Sequence, residues 1–273
     1  MRELSRYINV PSEIIGNKIK SVKTYKSKVV VTFYNKNKLE IPPEIFTSHF
    51  LYKDKILNEE EIRQIEQETS SYNLYKYAKK LLLTRPYTEY KIREKLYLKE
   101  ATKEEVDIVI NQLKKAGLVN DNEFASEYVE YCYQKGYGKN KIKVKLQEKG
   151  VFNEIINQIK FDDDYELERA NKLLNGLEKK YDRYPYKAKK DHIITALVNY
   201  GYDLDIAITV ASKIKEAKSK DEEEKALTDF KKLYRSYSRR YEGRELKDKI
   251  YQALRRKGYN TKTIYKVMEE IDL

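Results

Sequence analysis

Four segments of this chain follow one pattern, and any fold for it has to place them equivalently. They are KIREKLYLKEATKEEVDIVI from Lys91, KIKVKLQEKGVFNEIINQI from Lys141, HIITALVNYGYDLDIAITV from His192 and KIYQALRRKGYNTKTIYKV from Lys249. Each carries an Ile followed four residues later by Leu: Ile92/Leu96, Ile142/Leu146, Ile193/Leu197 and Ile250/Leu254. That spacing puts both on one face of a helix. Four residues beyond each Leu stand Glu100, Gly150, Gly201 and Gly258, and glycine there suits the left-handed residue that ends a helix. Thr102, Asn153, Asp203 and Asn260 follow as candidate caps of a further helix, Thr102 with Glu105 in capping-box spacing. Upstream, Ala78/Leu82, Ala125/Val129, Ala170/Leu174 and Ala226/Phe230 mark another helix. Each repeat is therefore three helices.

A three-helix unit of this size buries only part of its apolar face, so neighbours must stack. The fold class that follows is mainly α, with tandem three-helix repeats in an elongated curved array. The Leu column steps by 50, 51 and 57 residues, and the longest step contains the charged stretch KEAKSKDEEEK. The divisions are 58–119 for a linking helix and repeat 1, 120–161 for repeat 2, 162–216 for repeat 3 and 217–273 for repeat 4.

Residues 1–57 read differently. Lys18 to Tyr25, Lys28 to Tyr34 and Lys38 to Ile41 are β-rich and separated by turn residues. They predict a small antiparallel meander. Three strands are marginal alone, so Pro43 to Leu51 is expected to pack on them through Ile45, Phe46, Phe50 and Leu51. Asn58 with Glu61 then opens a long helix running toward Thr84, stopped before Pro86.

The stretch TRPYTEYKIREKLYLKEATKEEVDIVINQLKKAGLVNDNEFASEYVEYCYQKGYGKNKIKVKLQEKGV resembles the RecX family. The features that carry the likeness are the Pro-containing turn before KIREKL, Gly117-Leu118, the segment Asp121 to Ala125, and Gly138 ahead of the basic KIKVKL helix. Two departures stand out: Glu100 where the other repeats have glycine, and Pro-Tyr-Thr in the turn, where Thr88 still offers a cap. The resemblance implies a cytoplasmic regulator of recombination, DNA repair and the SOS response. It implies a monomer that lies in the groove of the RecA recombinase filament and meets single- or double-stranded DNA weakly or through that filament.

A formal charge of +12 makes a polyanion the first partner to test, although nucleotide bias in the genome also yields lysine- and tyrosine-rich chains. Stacking the repeats sets Lys91, Lys141, His192 and Lys249 before the core Ile, with Lys99, Lys149 and Lys257 near the helix end. Further basic residues gather as Arg93 and Lys95, as Lys139, Lys143 and Lys145, and as Arg255 and Arg256. As a set on one edge they suit phosphates or an acidic protein groove. Taken singly they are ordinary solvated residues, and the helix dipole alone would explain Lys99, Lys149 and Lys257. The 26 tyrosines mostly fall at helical spacing beside Leu and Ile, which reads as packing, though tyrosine rings also stack on bases.

Enzymatic readings find little support. Cys132, the single cysteine, is seven residues after Ala125, where Leu177 and Leu233 stand after Ala170 and Ala226, so it reads as core. His49 and His192 are too few for a catalytic or zinc constellation, and His192 reads as solvated. The acids Asp162 to Asp164 and Glu222 to Glu224 would have to serve a nuclease from different helix faces, and they sit where helix dipoles favour acids. No phosphate loop is present and no cofactor is expected. No apolar run approaches the roughly 20 residues of a membrane span, and MRELSRYINV lacks a leader's apolar region. The rival function is a general basic DNA-binding protein that needs no recombinase.

Overall fold

The computed structural model describes residues 17–216 and 219–270. The opening MRELSRYINV, two residues of KEAKSKDEEEK and the last three residues lie outside the described residues. The chain divides into two compact units, Met1–Phe124 and Ala125–Leu273.

The first unit opens with strands β1 (Ile19–Thr24), β2 (Val29–Phe33) and β3 (Lys38–Ile41), antiparallel in the order β1-β2-β3. Val31 pairs with both Val22 and Leu39. Val29, Val31 and Phe33 alternate inward along β2, as a half-buried strand requires. Their shared face is closed by Leu51, Leu57 and Ile65, with Ile45 and Phe46 of helix α1 (Pro43–Ser48) alongside. Phe50 does not join them. It adopts φ 47° and is 78% exposed, because the left-handed turn that closes α1 points it outward.

Helix α2 (Glu59–Leu82) starts from the Asn58–Glu61 capping box, which satisfies amides in both directions. Its beginning covers the sheet through Ile65, and its end supplies Leu74 and Ala78 to the first triplet. One helix thus serves two cores. Helices α3 (Glu89–Tyr97) and α4 (Lys103–Lys115) complete that triplet. Triplet 2 comprises α5 (Asp121–Gln134), α6 (Lys139–Glu148) and α7 (Asn153–Gln158), and triplet 3 comprises α8 (Asp163–Lys180), α9 (Tyr186–Asn199) and α10 (Leu204–Ser212). Triplet 4 comprises α11 (Ser219–Tyr237), α12 (Gly243–Lys257) and α13 (Thr261–Glu269). The chain is mainly helical with a small N-terminal antiparallel sheet.

All four Ile/Leu pairs are fully buried, and so is the Ala column. Cys132 is a core residue, and burial raises its thiol pKa, so it stays protonated. Glu100, Gly150, Gly201 and Gly258 all take positive φ, from 61° to 101°. In the last three triplets the next-but-one turn closes by the same amide, Val151, Tyr202 or Tyr259 donating to Leu146, Leu197 or Leu254, as in a Schellman ending.

Thr102 and Asn260 cap as the sequence predicts, and Thr88 accepts from the Lys91 amide. Asn153 and Asp203 do not. Asn153 already lies inside α7, whose first flanking residue is Phe152, and it accepts from Gln147 instead. Asp203 flanks α10 without a side-chain cap because Lys139 and Asn140 of triplet 2 claim its carboxylate.

Neighbouring triplets are joined by a device that the sequence pattern conceals. The residue four before the Ala column is Asp121, Glu166 or Glu222, and each accepts the first backbone amide of the preceding triplet's second helix. Asp121 takes Glu89 N–H at 2.8 Å, Glu166 takes Lys139 N–H at 3.0 Å and Glu222 takes Tyr186 N–H at 2.9 Å. These amides have no intrahelical acceptor. In triplet 1, which follows no other triplet, the same position is the buried Leu74.

Triplets 2 and 3 are further sewn by Gly138 N–H to Tyr200 O at 2.8 Å and Asn140 N–H to Gly201 O at 3.0 Å. A Cβ on Gly138 would meet Gly201 and Tyr202 backbone at 2.6 Å. Only glycine allows that approach.

Candidate functional site

Along α6 and its C-terminal cap the sequence sets Lys139, Lys141, Lys143, Lys145 and Lys149, and helical geometry divides them. At about 100° per residue, Lys141, Lys145 and Lys149 recur on one flank of the buried Ile142/Leu146 stripe. Lys139 and Lys143 fall on the other. The single positive edge expected from the repeats is therefore two edges.

The first flank is a band in which cations alternate with tyrosine rings. The Lys141 ammonium lies 4.8 Å from the Tyr137 centroid and 5.7 Å from that of Tyr200, and donates to Asn199 O at 3.0 Å. Lys145 is 5.3 Å from Tyr137, Lys149 5.6 Å from Tyr128, and Lys135 5.5 Å from Tyr131. The rings themselves neighbour one another, Tyr128 with Tyr131 at 5.8 Å and Tyr137 with Tyr200 at 6.3 Å. Neither Lys141 nor Lys145 is in an ion pair with a described carboxylate. A cation held over an aromatic face keeps its charge available, so the band presents charge and flat rings together.

On the second flank, Lys139 is spent on the fold. It bridges Asp163 at 2.9 Å and Asp203 at 2.7 Å, and hydrogen bonds first to Asp203 and then to Asp163 raise its pKa. Lys143 stands 5.5 Å from the Phe161 ring.

Triplet 1 repeats part of the band. Tyr87 and Tyr137 both precede their buried Ile by five residues, and Lys95 lies over Tyr87 at 5.8 Å as Lys145 does over Tyr137. Arg85 shares the Tyr87 ring at 4.7 Å, and Lys99 lies 5.2 Å from Tyr77. Lys91 sits 5.0 Å from Tyr90 while paired with Glu94 at 2.7 Å. Arg93 holds Glu89 at 2.8 Å and Asp107 at 2.5 Å, tying α3 to α4. It is structural rather than presented.

In triplet 4, Lys249 lies 5.3 Å from Tyr241 and Lys257 pairs with Asp229 at 3.2 Å. The exposed Arg255 and Arg256 donate to the carbonyls of Tyr259 and Gln252. His192 is not the solvated residue the column implies. It is half-buried, stacked 5.3 Å from Tyr181 and tilted 4.3 Å from Tyr184, because α9 begins a full turn earlier relative to its Ile than α6 does.

The tyrosines, which helical spacing alone reads as packing, divide into core residues and residues of the band. Tyr202 and Tyr259 are indeed core, with burial pushing the Tyr202 hydroxyl up to about 12. Tyr131 is 49% exposed, and Tyr128, Tyr137 and Tyr200 are half-buried. The signal that could have separated them is their register with lysine, since Tyr87/Lys95 and Tyr137/Lys145 share one spacing.

The acidic runs have other occupations. Asp162 caps α8, Asp163 pairs with Lys139, Glu222 clamps α9, and Glu223 pairs with Lys266 at 2.6 Å. Among the described residues no three His, Cys, Asp or Glu converge as a metal site. Among them, too, no helix is long and apolar enough to cross a membrane.

Family models for the RecX second and third three-helix domains match residues 120–158 and 221–268. These ranges cover triplets 2 and 4. The regulatory protein RecX of Lactococcus lactis subsp. lactis is 32% identical over 84% of this chain and 87% of its own length. That of Streptococcus pneumoniae serotype 19F is 30% identical over 93% and 99%. A crystal structure of a regulatory protein RecX shares the fold with a TM-score of 0.62 at 20% identity, covering 72% of this chain and 99% of that one. With that relationship running nearly end to end, the chain belongs to the RecX family.

Proposed function

We propose that this protein regulates homologous recombination and DNA repair in the cytoplasm by binding as a monomer in the groove of a RecA–DNA filament. There it modulates filament assembly, ATP hydrolysis and strand exchange. The observation that carries the reading is the tyrosine–lysine band along α5, α6 and the end of α9, in a chain related over most of its length to proteins named regulatory protein RecX. A filament groove displays phosphates and acidic side chains, and Lys141 and Lys145, poised over the Tyr137 ring, meet both without first breaking an ion pair with a described carboxylate. Several weak triplet contacts along one filament would add up through effective concentration.

The test compares affinity for bare DNA with affinity for recombinase-coated DNA, and follows recombinase ATP hydrolysis in the same reaction. Preference for coated DNA with altered hydrolysis is expected. No effect at several-fold excess over filament rejects the reading. The exposed rings favour a second reading, general DNA binding through stacking, which predicts equal or tighter binding to bare DNA with steep salt dependence.

A further inference from the structure

A cleft of about 820 Å³ opens between triplets 3 and 4, bordered by the turn before α9, one side of α11 and the end of α12. It is separate from the tyrosine–lysine band, and its chemistry is uneven. Asp221 and Glu224 stand at the α11 start, while Lys225 and Lys232 follow one and three turns on.

A third lining carboxylate, Asp229, is already occupied by Lys257 at 3.2 Å and by the Tyr259 hydroxyl at 3.0 Å. The remaining cations have neutral partners. Arg183 lies 5.0 Å from the Tyr184 centroid and donates to its hydroxyl. Lys225 donates to the carbonyls of Asp182 and Tyr184, and Arg256 to that of Gln252. Lys232 is in no ion pair with a described carboxylate. Beside them the Tyr184 and His192 rings form an aromatic wall. Clustered cations held in no ion pair, outnumbering the carboxylates of the cleft and set beside aromatic rings in a space the size of a ligand pocket, are the arrangement that phosphate-bearing ligands select.

We infer that this cleft is a second anion site, binding phosphate groups through Arg183, Lys232 and Arg256. A phosphodiester strand and a free polyphosphate offer the same chemistry there. The inference goes beyond the filament reading and does not depend on it, since binding is measured without recombinase.

The test substitutes Arg183→Gln, Lys232→Gln and Arg256→Gln together in the full chain. All three side chains are exposed, and Lys225 and Lys257, which hold the turn and Asp229, are left in place, so thermal unfolding should be unchanged. Binding is measured by titration with a labelled oligothymidylate and, separately, with inorganic tripolyphosphate. For a strand, the variant should bind about 10-fold more weakly at low salt, and its log–log salt slope should fall by about 2, near 0.7 for each lost phosphate contact. Loss with the oligonucleotide alone identifies a strand site, loss with tripolyphosphate alone a free polyphosphate site, and loss with both a phosphate site open to either. A folded variant that binds both probes as the wild type does, or a wild type that binds neither, overturns the inference.

Discussion

The Glu166 carboxylate, completely buried in α8, accepts the backbone N–H of Lys139 at 3.0 Å and the Arg169 guanidinium at 2.6 Å. This contact spans two triplets, and its counterparts at Asp121 and Glu222 make it the recurring joint of the array. Truncation leaves a helix-end amide and a half-buried guanidinium without their carboxylate acceptor, so Glu166→Ala should cost about 3 kcal/mol. Glu166→Gln keeps an oxygen for the amide and should cost less. Urea unfolding of both variants measures the difference. Equal stability of Glu166→Ala and wild type would show that the joint contributes nothing.

Asp121 occupies the same joint under strain of a different kind. One carboxylate oxygen accepts from Glu89 N–H, while the other is buried without a partner. Burial, and secondarily the Glu89 charge, raise its pKa above the ordinary aspartate range. The native state therefore holds this proton more tightly than the unfolded chain does. Stability from this group is full below the ordinary aspartate value and is lost as pH climbs from there through the native value, opposite in sign to a salt-bridged carboxylate. Asp121→Asn should match wild type in acid and exceed it at neutral pH. Denaturant titrations across that interval decide the matter, and a variant less stable at neutral pH contradicts it.

Glu100 is the one non-glycine in the column of left-handed helix ends, at φ 61°. Its side chain is exposed and in no ion pair with a described residue, so nothing offsets the backbone cost. Glu100→Gly should stabilise the first triplet by about 0.5–1 kcal/mol, the left-handed penalty less the added freedom of the unfolded chain. A higher unfolding midpoint with unchanged slope is the expected result.

How far the sequence discloses this structure depends on what kind of neighbour a residue has. The Ile/Leu pairs, the Ala column and the Gly turns follow local rules of helix period and helix ending, and their burial or backbone shape matches the pattern in all four triplets. Asp203 and Asn153 look like caps by the same rules and are not, because a lysine from another triplet and a shift of one residue intervene. Of the acids of the joint only Glu222 falls in a run that the sequence marks as helix-start charge, and Asp121 and Glu166 carry no local signal, because the amide each one meets belongs to another triplet. The lysines of α6 recur at the same sequence positions in other repeats, yet recurrence does not say on which side of the core stripe each falls.

That division of α6 yields the most direct test of the binding surface. Lys141 and Lys145 share the Tyr137 ring, whereas Lys143 faces Phe161 on the opposite flank. Lys141→Glu with Lys145→Glu places repulsive charge in the tyrosine–lysine band and should weaken binding to recombinase-coated DNA by 10-fold or more, since two charge reversals at about 1 kcal/mol each exceed the 1.4 kcal/mol of a tenfold change. Lys143→Glu should have a smaller effect. Lys139→Ala belongs to neither class, because its loss frees Asp163 and Asp203 and should lower stability before it touches affinity. Equal weakening by Lys143→Glu and by the double variant would mean that charge alone matters, and the rings would lose their place in the surface.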